Sequence, residues 1–465
     1  RPVDLTLPMV LKPRVPATNA PRAGSAPPPG LRLEVTRPDS SVAAADLTPG
    51  VWSDFLEVHF EVTPVVKVHG IFKALLTHYD TSDPKFPKMG LYISPINFSP
   101  KSPPLAISYP AGWTGELAEE YGNFKTVGWP SETWGVNDGV LTEQAFMDDI
   151  DQTQEKWEEM LFGTLAKGDW DVLFAVSQQT DHIGHMFYRF LDPKHPAHDA
   201  ERAKDPFYSE ALLRSYQRAD QVVGKVMAEY LKDDRTILLV VSDHGFNSFR
   251  RAVNINRWLI NHGFMALKLP EGQGTETLNT AQLFAGDEFF KDVDWTKTKA
   301  YAMGLGQIYL NLKDREGQGI VEPGAEAEQV KRDITAGLMQ MKDPKDGSPI
   351  MRSVFDGAKI YHGQAMAQAP DLVTGFHDGF RVSWQTALGG APAEEVEDNN
   401  LPWSGDHCSF DPEITMGVCF TNWRIDKADP SVLDIAPSVL KALGIPQPAE
   451  MDGRPLFETL PSREG

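Results

Sequence analysis

Three short stretches carry acids and histidines in an order that can build a split two-metal site: Thr180-Asp181-His182-Ile183-Gly184-His185, Ser242-Asp243-His244-Gly245-Phe246 and Ser404-Gly405-Asp406-His407. Asp181 and His185 are four residues apart, so a helical turn places both on one face and leaves His182 pointing elsewhere. Asp243 and His244 adjoin at the tip of the apolar run ILLVVSD, and their side chains can diverge around one ion if the backbone turns at Gly245. His407 sits in a Gly-Asp-His turn shortly before the run MGVCFTN. Neutral imidazole nitrogen and carboxylate oxygen bind zinc at about 2.0–2.2 Å. An all-oxygen set favours magnesium or calcium instead. Three candidate histidines and two acids therefore point to zinc first, with manganese or iron behind.

Each piece also has a plain structural reading. An Asp-x-x-x-His spacing on a helix is commonly a surface pair. An Asp-His-Gly tip is more pointed, because a charge buried at a strand end is costly without a partner. His182 reads as a residue that packs or hydrogen-bonds near the site rather than ligating. Cys408 reads as a small buried thiol, and His362 and His377, in strand-like stretches, carry no role. The combination argues more strongly than any single motif.

The chain must supply elements that bring these stretches together. Its 465 residues suffice for a large core and more than one lobe. With 41% hydrophobic and 23% charged residues it has the composition of a globular protein. No stretch of about 18 apolar residues predicts a membrane span. The net charge of −21 argues against binding a nucleic-acid backbone, and it would repel an anionic substrate unless cations sit in the site. Two cysteines, Cys408 and Cys419, exclude a disulfide scaffold. The chain begins Arg1-Pro2-Val3, and residues 13–30 are rich in Pro, Ala and Gly, as in an extended linker.

Residues 51–76 alternate apolar and polar, with breaks at Thr63-Pro64 and Gly70, and predict antiparallel hairpin strands. Leu91-Tyr92-Ile93 predicts another strand. Helical spacing runs over 141–165 and over 209–232, the latter with Ser209 as its cap. The runs WDVLFAVS (170–177) and RTILLVVSD (235–243) predict buried strands, and the strand-helix-strand order predicts a parallel sheet. Further on, 253–265 and 325–341 predict helices, 300–312 a strand pair, and 370–376 and 416–422 short strands. Residues 434–445 predict a helix with Pro437 in its first turn and Gly444 at its end, and Glu394 to Asp398 a solvated loop.

Taken together the motifs resemble the alkaline phosphatase superfamily, in particular its type I phosphodiesterase/nucleotide pyrophosphatase branch. The resemblance rests on Asp181 and His185, then Ser-Asp-His-Gly at Asp243 and His244, then the late His407 and the tail 434–456. It covers roughly residues 140–250 and 395–457. It implies a three-layer α/β/α sandwich around a mostly parallel central sheet, to which the alternating stretch adds a β-rich accessory region. It also implies two zinc-like ions: Asp181, His185 and His407 on one, Asp243 and His244 on the other. The implied substrate is a small phosphate ester or nucleotide-like molecule, and the implied mechanism is two-metal phosphoryl transfer. The sulfatase branch is disfavoured, since neither CSFDP at Cys408 nor CFTNW at Cys419 matches its Cys-x-Pro-x-Arg motif.

The resemblance also implies an early Asp and a Ser or Thr nucleophile. Residues 1–140 hold no hydrophobic strand ending in Asp-Gly ahead of such a residue: Asp4 follows only Pro2-Val3, and Asp54 lies in an alternating stretch. The expectation is a fragment or processed chain whose N-terminal nucleophile segment is missing, catalytically very poor by itself. The expected organisation is an arm over 1–45, a β-rich accessory region over 46–110 and a metal-binding core over 111–465 with an insertion around 253–365. A non-catalytic or incomplete metal-binding fragment, and a phosphomonoesterase or mutase relative, stay open as alternatives.

Overall fold

In a computed structural model the described residues are 6–14, 30–63, 65–83, 85, 87–232, 236–275 and 289–459. Most of the Pro/Ala-rich stretch, at 15–29, lies outside them. The chain divides into two compact units, Arg1–His182 and Ile183–Gly465.

The first unit opens with strands β1 (Met9–Pro13), β2 (Leu31–Thr36) and β3 (Val42–Leu47) in one antiparallel sheet. The alternating stretch forms the antiparallel pair β4 (Leu56–Thr63) and β5 (Val66–Phe72), β6 (Ala74–Asp80) pairs with β7 (Lys88–Ile93), and the short β8 (Asn97–Phe98) adds to β5. Period-two alternation turns Leu31, Leu33 and Val35 of β2 and Leu56 and Val58 of β4 inward, where they share one core with Phe72 and Leu76. Helices α1 (Trp113–Tyr121), α2 (Thr133–Asn137) and α3 (Glu143–Lys167) follow. Thr142 caps α3 by accepting from the Ala145 N–H, and Gly168, at φ 68°, closes it in the left-handed conformation. The Trp52 indole N–H donates to the Ala145 carbonyl at 2.8 Å, tying α3 to the β-rich part. Helix α4 (Gln179–Leu191) begins in this unit.

The second unit continues α4 and adds α5 (Pro206–Ser209) and α6 (Ala211–Tyr230). Ser209 does not cap the long helix. Asp205 caps α5 through the Phe207 N–H, Pro206 starts it, and the chain breaks at Glu210 before α6. Strand β9 (Leu239–Val241) and β10 (Asn247–Val253) flank the second motif, and helix α7 (Ile255–Asn261) follows. Strands β11 (Ala300–Met303), β12 (Gln307–Leu310), β13 (Met351–Asp356) and β14 (Leu372–Phe376) form a sheet ordered β11-β12-β14-β13. Trp258 and Leu259 of α7, Ile334 and Leu338 of the helix Ala325–Leu338, and Ile308, Leu310 and Phe376 of the sheet share its core. Strands β15 (Gly379–Val382), β16 (Val396–Asp398) and β17 (Gly405–Asp406) gather around β10, and β18 (Cys419–Thr421) pairs with β9. The helix Ile435–Leu443 ends at Gly444, φ 72°, as its sequence predicts.

The mixed α/β content matches expectation, but the layering differs. Among the described residues the named strands pair antiparallel, except β10 with β15. WDVLFAVS forms no strand, and Val172, Phe174 and Val176 stay 46%, 77% and 58% exposed. An apolar run reports a preference for burial, whereas a strand exists only where a neighbour accepts its backbone hydrogen bonds. The acidic run corrects in the opposite direction. Val396 is buried and Val396–Asp398 pairs with β10, because the one apolar residue in the run anchors a strand whose acids face outward.

Candidate metal centre

The His244 and His407 segments meet because β10 and β17 share an antiparallel register, Asn247 opposite Asp406 and Ser248 opposite Gly405. His244 lies three residues before the first partner and His407 one residue after the other, so both fall at the same end of that short ladder. On its other side the Asp243-His244 turn is held by the Ser242 N–H to the Val418 carbonyl, 3.0 Å, and the Gly245 N–H to the Thr415 carbonyl, 2.7 Å. A side chain at 245 would stand 2.5 Å from the Met416 carbonyl oxygen, so glycine is required there. The two imidazoles stack with centroids 3.5 Å apart and planes within 6°.

His185 reaches the same place from α4. The Ser404 N–H donates to the His185 carbonyl at 2.7 Å, and the Arg189 N–H to Ser404 Oγ at 3.0 Å. Close approach requires glycine on the turn: a Cβ on Gly405 would lie 2.6 Å from the Gly184 carbonyl oxygen, whereas one on Gly184 would meet the Phe246 ring at 3.0 Å. The His185 ring is buried, 5.3 Å from the His407 ring centroid, 3.9 Å from that of Trp403 and edge-on to Phe246 at 4.9 Å.

Hydrogen bonds fix which nitrogen can ligate. His185 Nδ1 faces the Gly405 carbonyl at 2.8 Å and His244 Nδ1 the Gly245 carbonyl at 2.8 Å. A carbonyl only accepts, so in both rings Nδ1 carries the proton and Nε2 the lone pair, the arrangement of a metal-ligating histidine. His244 Nε2 lies 3.5 Å from Asp243 Oδ2. Two ligands on one tetrahedral ion, each at about 2.0–2.1 Å, sit about 3.4 Å apart, so this pair fits a shared cation. Asp243 itself is 82% exposed, on the open side of the cluster. Asp181 lies in the first turn of α4, one turn before His185 on the same helix, where the helix dipole favours its charge. His182 is buried with Nδ1 2.6 Å from Ser131 Oγ and its ring 4.1 Å from Trp129, a packed residue as its spacing implied.

Cys408 is half-buried rather than buried, with Sγ 3.6 Å from His407 Nδ1, and its ligand atom groups with those of Asp406 and His407. Asp406 is fully buried. Burial pushes its carboxyl up, but the Arg381 guanidinium and the Cys408 N–H more than reverse this and hold it well below the usual carboxylate range. Arg381 and Trp403 escape the motif reading. The signal for Arg381 is a lone cation inside the apolar strand Gly379–Val382, which must be paired to be buried there. His362 is exposed and pairs with Asp452 at 3.0 Å, in a loop rather than a strand.

Residues 79–389, about two thirds of the chain, match the family described as type I phosphodiesterase / nucleotide pyrophosphatase. A 121-residue stretch is 32% identical to GPI ethanolamine phosphate transferase 2 of Eremothecium gossypii, covering 25% of this chain and 12% of that protein. A 100-residue stretch is 33% identical to the catalytic subunit of human GPI ethanolamine phosphate transferase 3, covering 22% of this chain and 7% of that protein. The chain thus spans only a small part of the length of these curated relatives. No solved structure matches. With three histidines converging from segments that the sequence holds far apart, and a family match over most of the chain, the protein belongs to the type I phosphodiesterase / nucleotide pyrophosphatase family of the alkaline phosphatase superfamily.

Proposed function

We propose that this chain carries the metal-binding part of a phosphoester hydrolase that acts on phosphodiesters or phosphoanhydrides. Asp181, His185 and His407 would hold one divalent ion and Asp243 with His244 a second, zinc by the character of the donors. The observation that carries this reading is the parallel His244–His407 stack beside a His185 whose tautomer is fixed by Gly405. Bound ions would neutralise the phosphate and stabilise the attacking and leaving oxygens. The chain's own residues supply the rest. The β10–β17 register sets the spacing of His407 from His244, the Gly184–Gly405 approach sets that of His185, and backbone carbonyls orient the rings. Positive ions would also let a chain of charge −21 attract an anionic substrate.

A second reading is phosphoethanolamine transfer to an alcohol acceptor, favoured by the names of the two relatives. Both readings need the metals and a phosphodiester, and differ in whether water or an alcohol accepts the phosphoryl group. Elemental analysis after dialysis tests the first requirement: His407→Ala should lose at least as much zinc as His244→Ala, and undiminished zinc in both variants would refute the ligand set. Side-by-side rates on an aryl phosphodiester, a phosphomonoester and a sulfate ester test the second, and a sulfate preference sinks it.

A further inference from the structure

We propose that Arg381 and Asp406 are a positioning pair whose task is to hold the His407 turn and the His185 ring in metal-binding geometry. The inference rests on the metal reading above. Neither residue exposes any surface, and a buried ion is costly unless partners compensate it. Both oxygens of the carboxylate are engaged. Asp406 Oδ2 accepts the Trp403 indole N–H at 2.8 Å and forms an ion pair with Arg381, whose Nε lies 2.9 Å away but is not aligned for a hydrogen bond. Oδ1 takes the backbone N–H groups of His407 at 2.7 Å and Cys408 at 2.9 Å. Three N–H donors and the guanidinium charge thus engage both carboxylate oxygens. Asp406 is thereby committed to the turn and to Arg381, although its oxygens lie within ligand spacing of His407 and Cys408.

What these contacts do is fix a turn. Two of them clamp the backbone on either side of the His407 Cα, so the imidazole leaves the turn in one direction. The same clamp fixes Gly405, whose carbonyl accepts the His185 Nδ1 proton. The Trp403 ring that donates to Asp406 is also the ring against which His185 lies. Arg381 closes the arrangement from behind. Its guanidinium stands 4.0 Å over Trp384 and 5.0 Å over Phe249, and its Nη1 donates to the Val382 carbonyl at 2.9 Å. If stability alone were served, apolar residues of similar volume would serve as well or better. The pair instead gives direction to two imidazoles from sequence positions more than two hundred residues apart.

Two variants and two readouts separate this role from a merely structural one. Arg381→Met with Asp406→Leu removes both charges and keeps volume, and Arg381→Lys is the milder change should the double variant fail to fold. The first readout is zinc affinity by titration calorimetry on folded protein. It should fall 10–100-fold, the usual effect of losing an outer-shell partner. The second needs no metal: in histidine-labelled, metal-free protein, imidazole ¹⁵N spectra should show His185 as a single Nδ1–H tautomer, averaged between tautomers in the variants. His185→Ala assigns the signal. A folded variant with native imidazole spectra and zinc affinity within twofold of native overturns the positioning role. If the spectra change while the native chain and His407→Ala bind zinc alike, the positioning pair stands and the metal reading falls.

Discussion

Replacing Gly405 with alanine should damage the metal centre more than the fold. The added Cβ would lie 2.5 Å from a Phe246 ring carbon, 2.6 Å from the Gly184 carbonyl oxygen and 2.8 Å from Tyr188 Cβ. The Phe246 ring can swing, but Gly184 is helix backbone. Restoring ordinary contact of about 3.4 Å needs a relative shift of about 0.8 Å between α4 and the turn. A shift of that size along the contact stretches the 2.8 Å bond from His185 Nδ1 to the Gly405 carbonyl to about 3.6 Å, beyond hydrogen-bonding range. Overpacking costs about 1–3 kcal/mol. Against it, alanine restricts the unfolded chain and returns about 0.4–1 kcal/mol. The net expectation is a loss of about 1–2 kcal/mol in stability, with zinc affinity down at least about tenfold as the His185 ring loses its orientation. Gly184→Ala is the control. Its Cβ meets only the Phe246 ring edge at 3.0 Å, and alanine gains about 1 kcal/mol of helix propensity, so stability should change by less than about 1 kcal/mol. Urea denaturation and zinc titration calorimetry on both variants decide the matter. A Gly405→Ala protein with native stability and native zinc affinity would refute the claim that this contact positions His185.

Two further expectations concern charge and burial. His195 is buried, with Nε2–H donating to the Phe249 carbonyl at 2.9 Å and Nδ1 accepting from the Ala197 N–H at 3.0 Å, so a second proton would break the latter bond. Burial, opposed by the Phe249 carbonyl and Asp192, pushes its imidazole down from 6.5 to about 4. Between those values the unfolded chain binds the extra proton, so stability falls as pH drops through 6.5 toward 4, by about 2 kcal/mol at about pH 5. Denaturation at pH 7.5 and 5 should show this loss in the native protein and a smaller one in His195→Gln; equal pH dependence would count against it. In the first unit Asp149 is buried between two ammonium groups, 2.6 Å from Lys125 Nζ and 3.7 Å from Lys73 Nζ. Asp149→Ala removes the carboxylate between both buried cations, leaving Lys125 its bond to the Pro130 carbonyl and Lys73 its bond to Gln152, and should cost about 3 kcal/mol, read as a lowered urea midpoint; a change under about 1 kcal/mol would show that water reaches the lysines.

The local alphabet of this protein is legible in its sequence wherever one element decides its own fate. Thr142 and Gly168 mark the ends of α3, Pro437 and Gly444 those of the last helix, and the alternation of residues 51–76 gives its hairpin without outside help. The histidine motifs are legible for a similar reason. Asp181 and His185 need only a helical turn, and an Asp-His-Gly at a strand tip needs only a glycine. Tertiary structure alone decides which segments meet. WDVLFAVS is as apolar as a buried strand, yet no ladder receives it, and the acidic Val396–Asp398 pairs because β10 is there. Sheet direction was equally hidden, since a strand's own residues do not record whether its neighbour runs with it or against it. The β10–β17 register that brings His407 to His244, and the burial of Arg381 against Asp406, depend on contacts between residues far apart in the chain. Such contacts leave only indirect traces in sequence: two glycines where backbones touch, and one arginine in a strand where a charge has no other reason to be.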